Sequence, residues 1–439
     1  MVRALPPGPP LPALLQAGLI WLDPIRFVHA CHRRYGDRFT IRIPGIGTLV
    51  FLTDPDDIRS VARGDPAIFH AGEAAIPLGE VLGAQSLIML DDEKHRRSRG
   101  MMLPAFHGDS VRRQVAEMVD ITVDEVTRWP VGEQFALYPR MQAITLEVIL
   151  RTVIGVHDEG RLAALRAALP PMLEIGSPLE LIPPPQVLRR FGMWRRRAQR
   201  NAAAQALLTD EITRCRQDPQ LAHRTDALAM LVRSVDGAGA PMADDELVDQ
   251  LVTLLLAGHD TTATALSWAF ERLVRDPALL DRTARAAIES DDAWLDAVCK
   301  ETLRVRPVVF EFGRKLTAPV QLAGYRIPAG TILAPSINLV QHSSRHYPDP
   351  EEFRPQRFLD QRADPAVWLP FGGGVRRCLG ATFAQTEMRT VLREVLRRVE
   401  LSPTTAPDEP VKPRHVTMVP RQGAMVTVRR HIPATDRVT

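Results

Sequence analysis

Residues 371–380 read FGGGVRRCLG, and they bring a thiol, a guanidinium and a glycine turn into ten positions. Cys378 follows three glycines and precedes an apolar-periodic segment, 381–399, that reads as a helix. A sulfur just ahead of a helix N-terminus lies at the positive end of the macrodipole, which favours its thiolate. Glycines let the backbone turn sharply, approach a flat ligand closely and aim N–H groups at the sulfur. Arg376 offers a planar fork of donors to a carboxylate. A thiolate in a tight glycine turn beside a carboxylate-binding arginine is what an axial haem ligand requires.

A second group of this kind is AGHDTT, residues 257–262, in the middle of a long helical pattern over 245–275. Propensity gives no reason for a glycine, an acid and two threonines there. The Thr261 hydroxyl is placed to bond back to the Ala257 carbonyl and bend the helix, and Gly258 takes a side chain out of the resulting groove. A groove with a hydroxyl and a carboxylate, Asp260, suits dioxygen, a water and a proton route. His259 is assigned no role. Further along, Glu301 and Arg304 share a helix face at i and i+3, as do His95 and Arg99 at i and i+4.

Elements must position these groups. A helix is expected over 23–35, a hairpin over 39–43 and 48–52 around a Pro-Gly turn, and continuous helix over 111–151. Residues 69–90 are glycine- and alanine-rich without helical period. A helix start with acids first and bases after is read at 91–99. Pro170, Pro171, Pro178 and 183–185 interrupt helices repeatedly, 195–197 reads as a solvated basic helix face, and 324–331 is a turn between strands. The tail beyond Ile432 reads as disordered.

These stretches together resemble the cytochrome P450 family. The cysteine run is similar to its signature F-x-x-G-x-R-x-C-x-G at Phe371, Gly374, Arg376, Cys378 and Gly380, and 257–262 to its A/G-G-x-D/E-T-T element. Glu301-x-x-Arg304 resembles its E-x-x-R element, and 353–358 its F-x-P-x-R-F element. The resemblance covers about residues 5–430. It implies a mainly α fold with a small β-rich part, as a single domain over 1–439, carrying haem b with Cys378 as the metal ligand. It places Asp260 and Thr261 in acid–alcohol roles that deliver protons to dioxygen. It places His95, Arg99 and Arg314 against the haem propionates, and makes Glu301, Arg304 and Arg357 a structural cluster bracing the cysteine loop. The 69–90 stretch would close over substrate, with Ile76, Leu78, Val81, Leu82, Leu87 and Ile88 as pocket candidates. Val308, Val309, Phe310 and Glu311 would line the pocket after Pro307; where the family often has a second proline, Val308 stands. Glu311 has two readings: turned away and paired with Arg314 or Arg306, or facing a substrate hydroxyl or amine.

The implied reaction is monooxygenation of a lipophilic small molecule, such as a terpenoid, steroid or fatty acid, with O2 as co-substrate. The chain has no nicotinamide or flavin fingerprint and no iron–sulfur spacing, so NAD(P)H-derived electrons would come through a separate ferredoxin or flavodoxin with its reductase. Arg96, Arg97 and Arg377 are the docking cations this implies, although Arg96 and Arg97 also read as a plain solvated patch. A peroxide-driven haem-thiolate enzyme, an isomerase and a non-catalytic haem sensor are the rival functions. Composition agrees: 45% hydrophobic residues suffice for a large core, and a net charge of +3 argues against bulk nucleic-acid binding. Cys31, Cys215, Cys299 and Cys378 are scattered, which suits a reducing, cytoplasmic compartment. The apolar stretch 11–22 is interrupted by Gln16 and stopped at Pro24, short of the about 20 residues a transmembrane helix needs.

Overall fold

The computed structural model describes residues 5–174, 192–359, 364–414 and 416–433, save the side chains of Ile76, Pro77, Glu80 and Met193. The mainly helical architecture with small sheets is as expected. Asp23 caps the helix Pro24–Tyr35 by accepting from the Arg26 N–H, with proline at the first helical position. The hairpin forms from Arg38–Ile43 and Gly47–Leu52, Arg38 pairing with Leu52 and Ile43 with Gly47. It heads a five-stranded sheet in which Gly47–Leu52 runs parallel to Ile332–Pro335, followed by Arg314–Leu316 and then Phe69–His70. Alternation sends Phe39, Ile41 and Phe51 into one buried cluster under this sheet.

The centre is the 30-residue helix Asp244–Leu273, buried along most of its length. Asp244, Asp245 and Glu246 in its first turn complement the dipole. It packs on Tyr138–Val148, and one apolar cluster gathers residues from Leu82 to Val428 around the two. The close approach is set by Gly258, where a Cβ would meet Ile149 Cδ1 at 2.9 Å. The glycine therefore also serves the packing of the two helices.

Several local expectations are corrected. Helix does not run through 111–151: Gly108–Val126 ends, Gln134–Ala136 pairs as a strand with Met425–His431, and helix resumes at Tyr138. Pro130 and Gly132, the latter at φ +80, break the period. The 69–90 stretch contains short helical turns, Glu73–Leu78 and Gly79–Leu82. The helix Glu159–Leu173 carries Pro170 and Pro171 in its last turn without stopping, whereas Pro178 and 183–185 lie outside the described residues. The apolar stretch 11–22 supplies a helix, Ala13–Leu22, whose buried residue is Gln16. Among the described residues no helix is long and apolar enough to cross a membrane. Arg197, read as solvated, is buried. Most of the tail beyond Ile432 lies outside the described residues.

Candidate active site

Cys378 is the one exposed cysteine; Cys31, Cys215 and Cys299 are buried. Its loop is set by backbone bonds, Gly372 N–H to the Leu369 carbonyl at 2.9 Å and Cys378 N–H to the Phe371 carbonyl at 2.9 Å. Gly374 has φ +66, and a Cβ there would overlap the Ala62 carbonyl of the helix Pro55–Arg63. The protein's own backbone thus already demands glycine at this position. Gly380 has open space around it and donates its N–H to the sulfur, while the Phe371 ring packs edge-on against Trp368. The sulfur is accessible, yet surrounding protein pushes its thiol pKa up; the Gly380 N–H, Arg377 and Arg99 oppose this and lose. Burial outweighs these favourable groups, and a coordinated metal cation is what would remove the proton.

Beside the sulfur stands a cluster of cations. His95 feels Arg376, Arg99 and Arg314, and burial with these charges brings its pKa down to about 4, so it is neutral at pH 7. Arg314 is buried, its pKa brought down to about 10 by burial and by Arg376, and its guanidinium donates to the Gly313 carbonyl at 2.8 Å. Arg99 donates to the Arg377 carbonyl at 2.7 Å. Arg376 donates to a carboxylate of the chain itself, Asp91, and to the Leu90 carbonyl. Three arginines around one ion-paired aspartate leave an excess of positive charge in a recessed place. A ligand with two carboxylates meets it.

The central helix supplies another wall. Ala257 and Thr261 are accessible at the middle of a helix otherwise buried, on one face at i and i+4. Thr261 Oγ1 donates back to the Ala257 carbonyl, as expected. The Asp260 carboxylate bonds to distant segments and not to its neighbour's hydroxyl. Its Oδ1 accepts from Tyr138 and, at 3.3 Å, from Gln142, and its Oδ2 accepts from Thr417 at 2.8 Å. Arg414 lies 3.6 Å from Oδ1 and donates to the Tyr138 hydroxyl at 2.7 Å. A cavity of about 250 Å³ adjoins this network, lined by Gln142, Leu173, His259, Asp260 and Arg414 among others. His259 is buried against Thr145, at 3.0 Å, and burial brings its pKa down to about 4. Nothing along the chain signals Tyr138, Gln142, Arg414 and Thr417, because none is near Asp260 in sequence.

Behind the cysteine loop, Glu301 and Arg304 are both fully buried and bidentate, at 2.7 and 2.8 Å. Arg357 reaches Glu301 at 3.3 Å. The connection onward to the cysteine loop is continuous. Arg304 donates to the Gln341 carbonyl at 2.9 Å, and the Gln341 side chain accepts from Leu369 N–H at 3.1 Å, ahead of Gly372. Glu387, nine residues past Cys378, was missed. Both its oxygens are buried without a partner among the described residues, and burial raises its pKa well above the carboxylate range.

The pocket candidates divide. Val81, Leu82 and Leu87 are buried, Leu82 and Leu87 within the main core cluster, with Leu78 and Ile88 packed against it, so Leu82 serves as core more than wall. The Ile76 side chain lies outside the described residues. Val308 and Phe310 are buried, Phe310 in the cluster under the sheet, which corrects its placement as pocket wall. Val309 and Glu311, on the alternate face, are partly accessible. Glu311 is not paired: Arg314 holds a carbonyl and Arg306 reaches Asp408 at 3.4 Å. Burial without a partner pushes the Glu311 carboxyl up to about 7. Of the expected docking cations, Arg377 is exposed and Arg96 pairs only with Glu93 at 2.8 Å. Arg97 is committed to Asp236 at 2.7 Å and Glu246 at 3.0 Å, so it ties two elements together instead of facing a partner.

A mainly helical fold with an exposed cysteine in a glycine loop, a cation cluster beside it and a hydroxyl-bearing face on the central helix suits a cysteine-ligated haem protein. The family model for cytochrome P450 matches residues 5–428. Putative cytochrome P450 135B1 of Mycobacterium tuberculosis is 51% identical over 99% of this chain and 94% of that protein. Putative cytochrome P450 135A1 of the same organism is 40% identical over 97% of this chain and 95% of that protein. In fold, the chain is similar to the retinoic acid bound cyanobacterial CYP120A1, with TM-score 0.82 at 24% identity, covering 98% of this chain and 100% of that one. It is likewise similar to the cytochrome P450DA heme domain, with TM-score 0.83 at 22% identity, covering 99% and 100%. The chain belongs to the cytochrome P450 family: it is a haem-thiolate monooxygenase that uses O2.

Proposed function

We propose that this monooxygenase acts on a lipophilic small molecule carrying one polar handle, with electrons from a separate ferredoxin or flavodoxin and its reductase. It would work as a single domain in the cytoplasm. The observation that carries the reading is the accessible Ala257–Thr261 face at the middle of a buried helix. Cys378 would hold the haem, with His95, Arg99, Arg314 and Arg376 toward its carboxylates, and the bound haem would supply the redox chemistry. The chain's own work is positioning and proton supply. Thr261 Oγ1 donates its hydrogen to the Ala257 carbonyl, which leaves its lone pairs to accept from a water. Asp260, fixed by Tyr138, Thr417 and Arg414, relays protons from the adjoining cavity.

Thr261→Ala should keep haem and substrate binding while product formed per NAD(P)H consumed falls severalfold, the balance appearing as peroxide. An unchanged ratio would reduce Thr261 to a helix residue.

Glu311 is assigned to the polar handle, because it is unpaired and partly accessible. Glu311→Gln should then alter the site of oxygen insertion with little loss of folded haem protein. With its carboxyl titrating at about 7, it donates a hydrogen bond below that pH and accepts one above it. Spectral binding of an amine-bearing ligand should therefore tighten as pH rises through 7 in the wild type and stay flat in Glu311→Gln. An unaltered product pattern together with a lowered stability would return Glu311 to a structural role.

A further inference from the structure

The stretch from His70 to Asp91 bridges two walls of the site. Its far part rests on the N-terminal half of the central helix. Gln85 N–H donates to Asp249 at 2.9 Å, Leu87 N–H to Gln250 at 3.0 Å, and the Ser86 and Thr253 hydroxyls meet at 2.7 Å. Its two ends converge on one carboxylate. Asp91 Oδ1 accepts from the N–H groups of Ala71 at 2.9 Å and Gly72 at 3.0 Å, and Oδ2 from Glu73 N–H at 3.0 Å. Gly72 is obligatory at this neck, since a Cβ would overlap the Met89 carbonyl. The neck is then tied to the cysteine loop: Arg376 donates to Asp91 Oδ1, to the Leu90 carbonyl, and to the Leu87 carbonyl at 3.3 Å. A guanidinium has five N–H donors. Three are committed to this neck, and the Nε–H and one Nη1–H are not.

We propose that Asp91 is a positioning residue that fastens this covering loop to Arg376, so that closure of the loop and the charge presented to the cofactor's carboxylate form one unit. The proposal rests on the haem site described above. One carboxylate that satisfies three backbone donors and a guanidinium is a charge-assisted hub, stronger than neutral bonds and specific in geometry. Removing its charge unfastens the neck and takes from Arg376 its directly bonded counter-charge, leaving the weaker field of Asp92. The second effect raises the midpoint potential of the iron, because added positive charge favours the more electron-rich reduced state.

The experiment compares wild type, Asp91→Asn and Glu73→Gln as holoproteins. Glu73 is the control: its carboxylate pairs with His70 at 2.9 Å and Lys315 at 3.1 Å and does not touch Arg376. In Asp91→Asn, amide-exchange protection at residues 71–73 should fall about tenfold, the scale of one charge-assisted hydrogen bond. The midpoint potential should become more positive, and Glu73→Gln should show neither change at that size. Should Asp91→Asn fail to accumulate, Asp91→Glu keeps the charge on a longer arm; protection should still fall, with a smaller rise in potential. Reduced protection at unchanged potential would make Asp91 a local loop cap, and a shifted potential at unchanged protection would make it a bare charge. Either result overturns the proposal. A wild-type protein without the carbon monoxide band of a thiolate-ligated haem would instead overturn the site reading.

Discussion

Cys378→Ser is expected to lose the long-wavelength carbon monoxide band of the reduced protein completely, together with O2-dependent turnover. A serine hydroxyl is neither acidic nor soft enough to replace a thiolate as the donating ligand, and no other sulfur can take its place. Cys31, Cys215 and Cys299 are buried, with thiol pKa values raised by burial. Burial also raises the Cys378 thiol, so its deprotonation depends on the metal it meets. Haem retention and the carbon monoxide spectrum are the measurements. A wild-type band in Cys378→Ser would remove the basis of the site.

Arg304→Ala is expected to have the largest effect on folding. Arg304 and Glu301 are both inaccessible and bidentate, and Arg304 also satisfies the carbonyls of Gln341, Pro350 and Glu352. Removing the guanidinium leaves the buried Glu301 carboxylate with only Arg357 and the Arg354 N–H among the described residues, a change that costs up to about 3–5 kcal/mol. That is a large share of the roughly 5–15 kcal/mol by which a folded chain exceeds its unfolded state. Little haem-containing protein should accumulate, and the denaturant midpoint of what does should drop. Glu301→Leu with Arg304→Leu, removing both charges at once, should be less damaging than the sum of the single changes. A wild-type midpoint in Arg304→Ala would show that the cluster is not what holds the cysteine loop.

Much of the site was legible along the chain because its parts are local. The glycine turn before Cys378, the back-bond from Thr261 to Ala257 and the i, i+3 pair of Glu301 and Arg304 each lie within one turn of backbone. Local sterics and helical period therefore determine them whatever surrounds them. Some departures from period were equally local, and went unread: the helix break near Trp129 follows from Pro130 and Gly132.

What only the tertiary structure decided concerns burial and pairing between distant elements. Gly258 meets Ile149 and Gly374 meets Ala62, close contacts within the protein that the local sequence does not announce. Arg97 looks like its neighbour Arg96 in sequence, but one is bound by Asp236 and Glu246 and the other faces water. Glu311 lacks the arginine partner that its neighbourhood in sequence offers. Asp260 draws Tyr138, Gln142, Thr417 and Arg414 from segments more than a hundred residues away. Propensity and period act over a few residues, whereas the energy of a charge depends on which groups the fold brings within a few ångströms and how much water it leaves there.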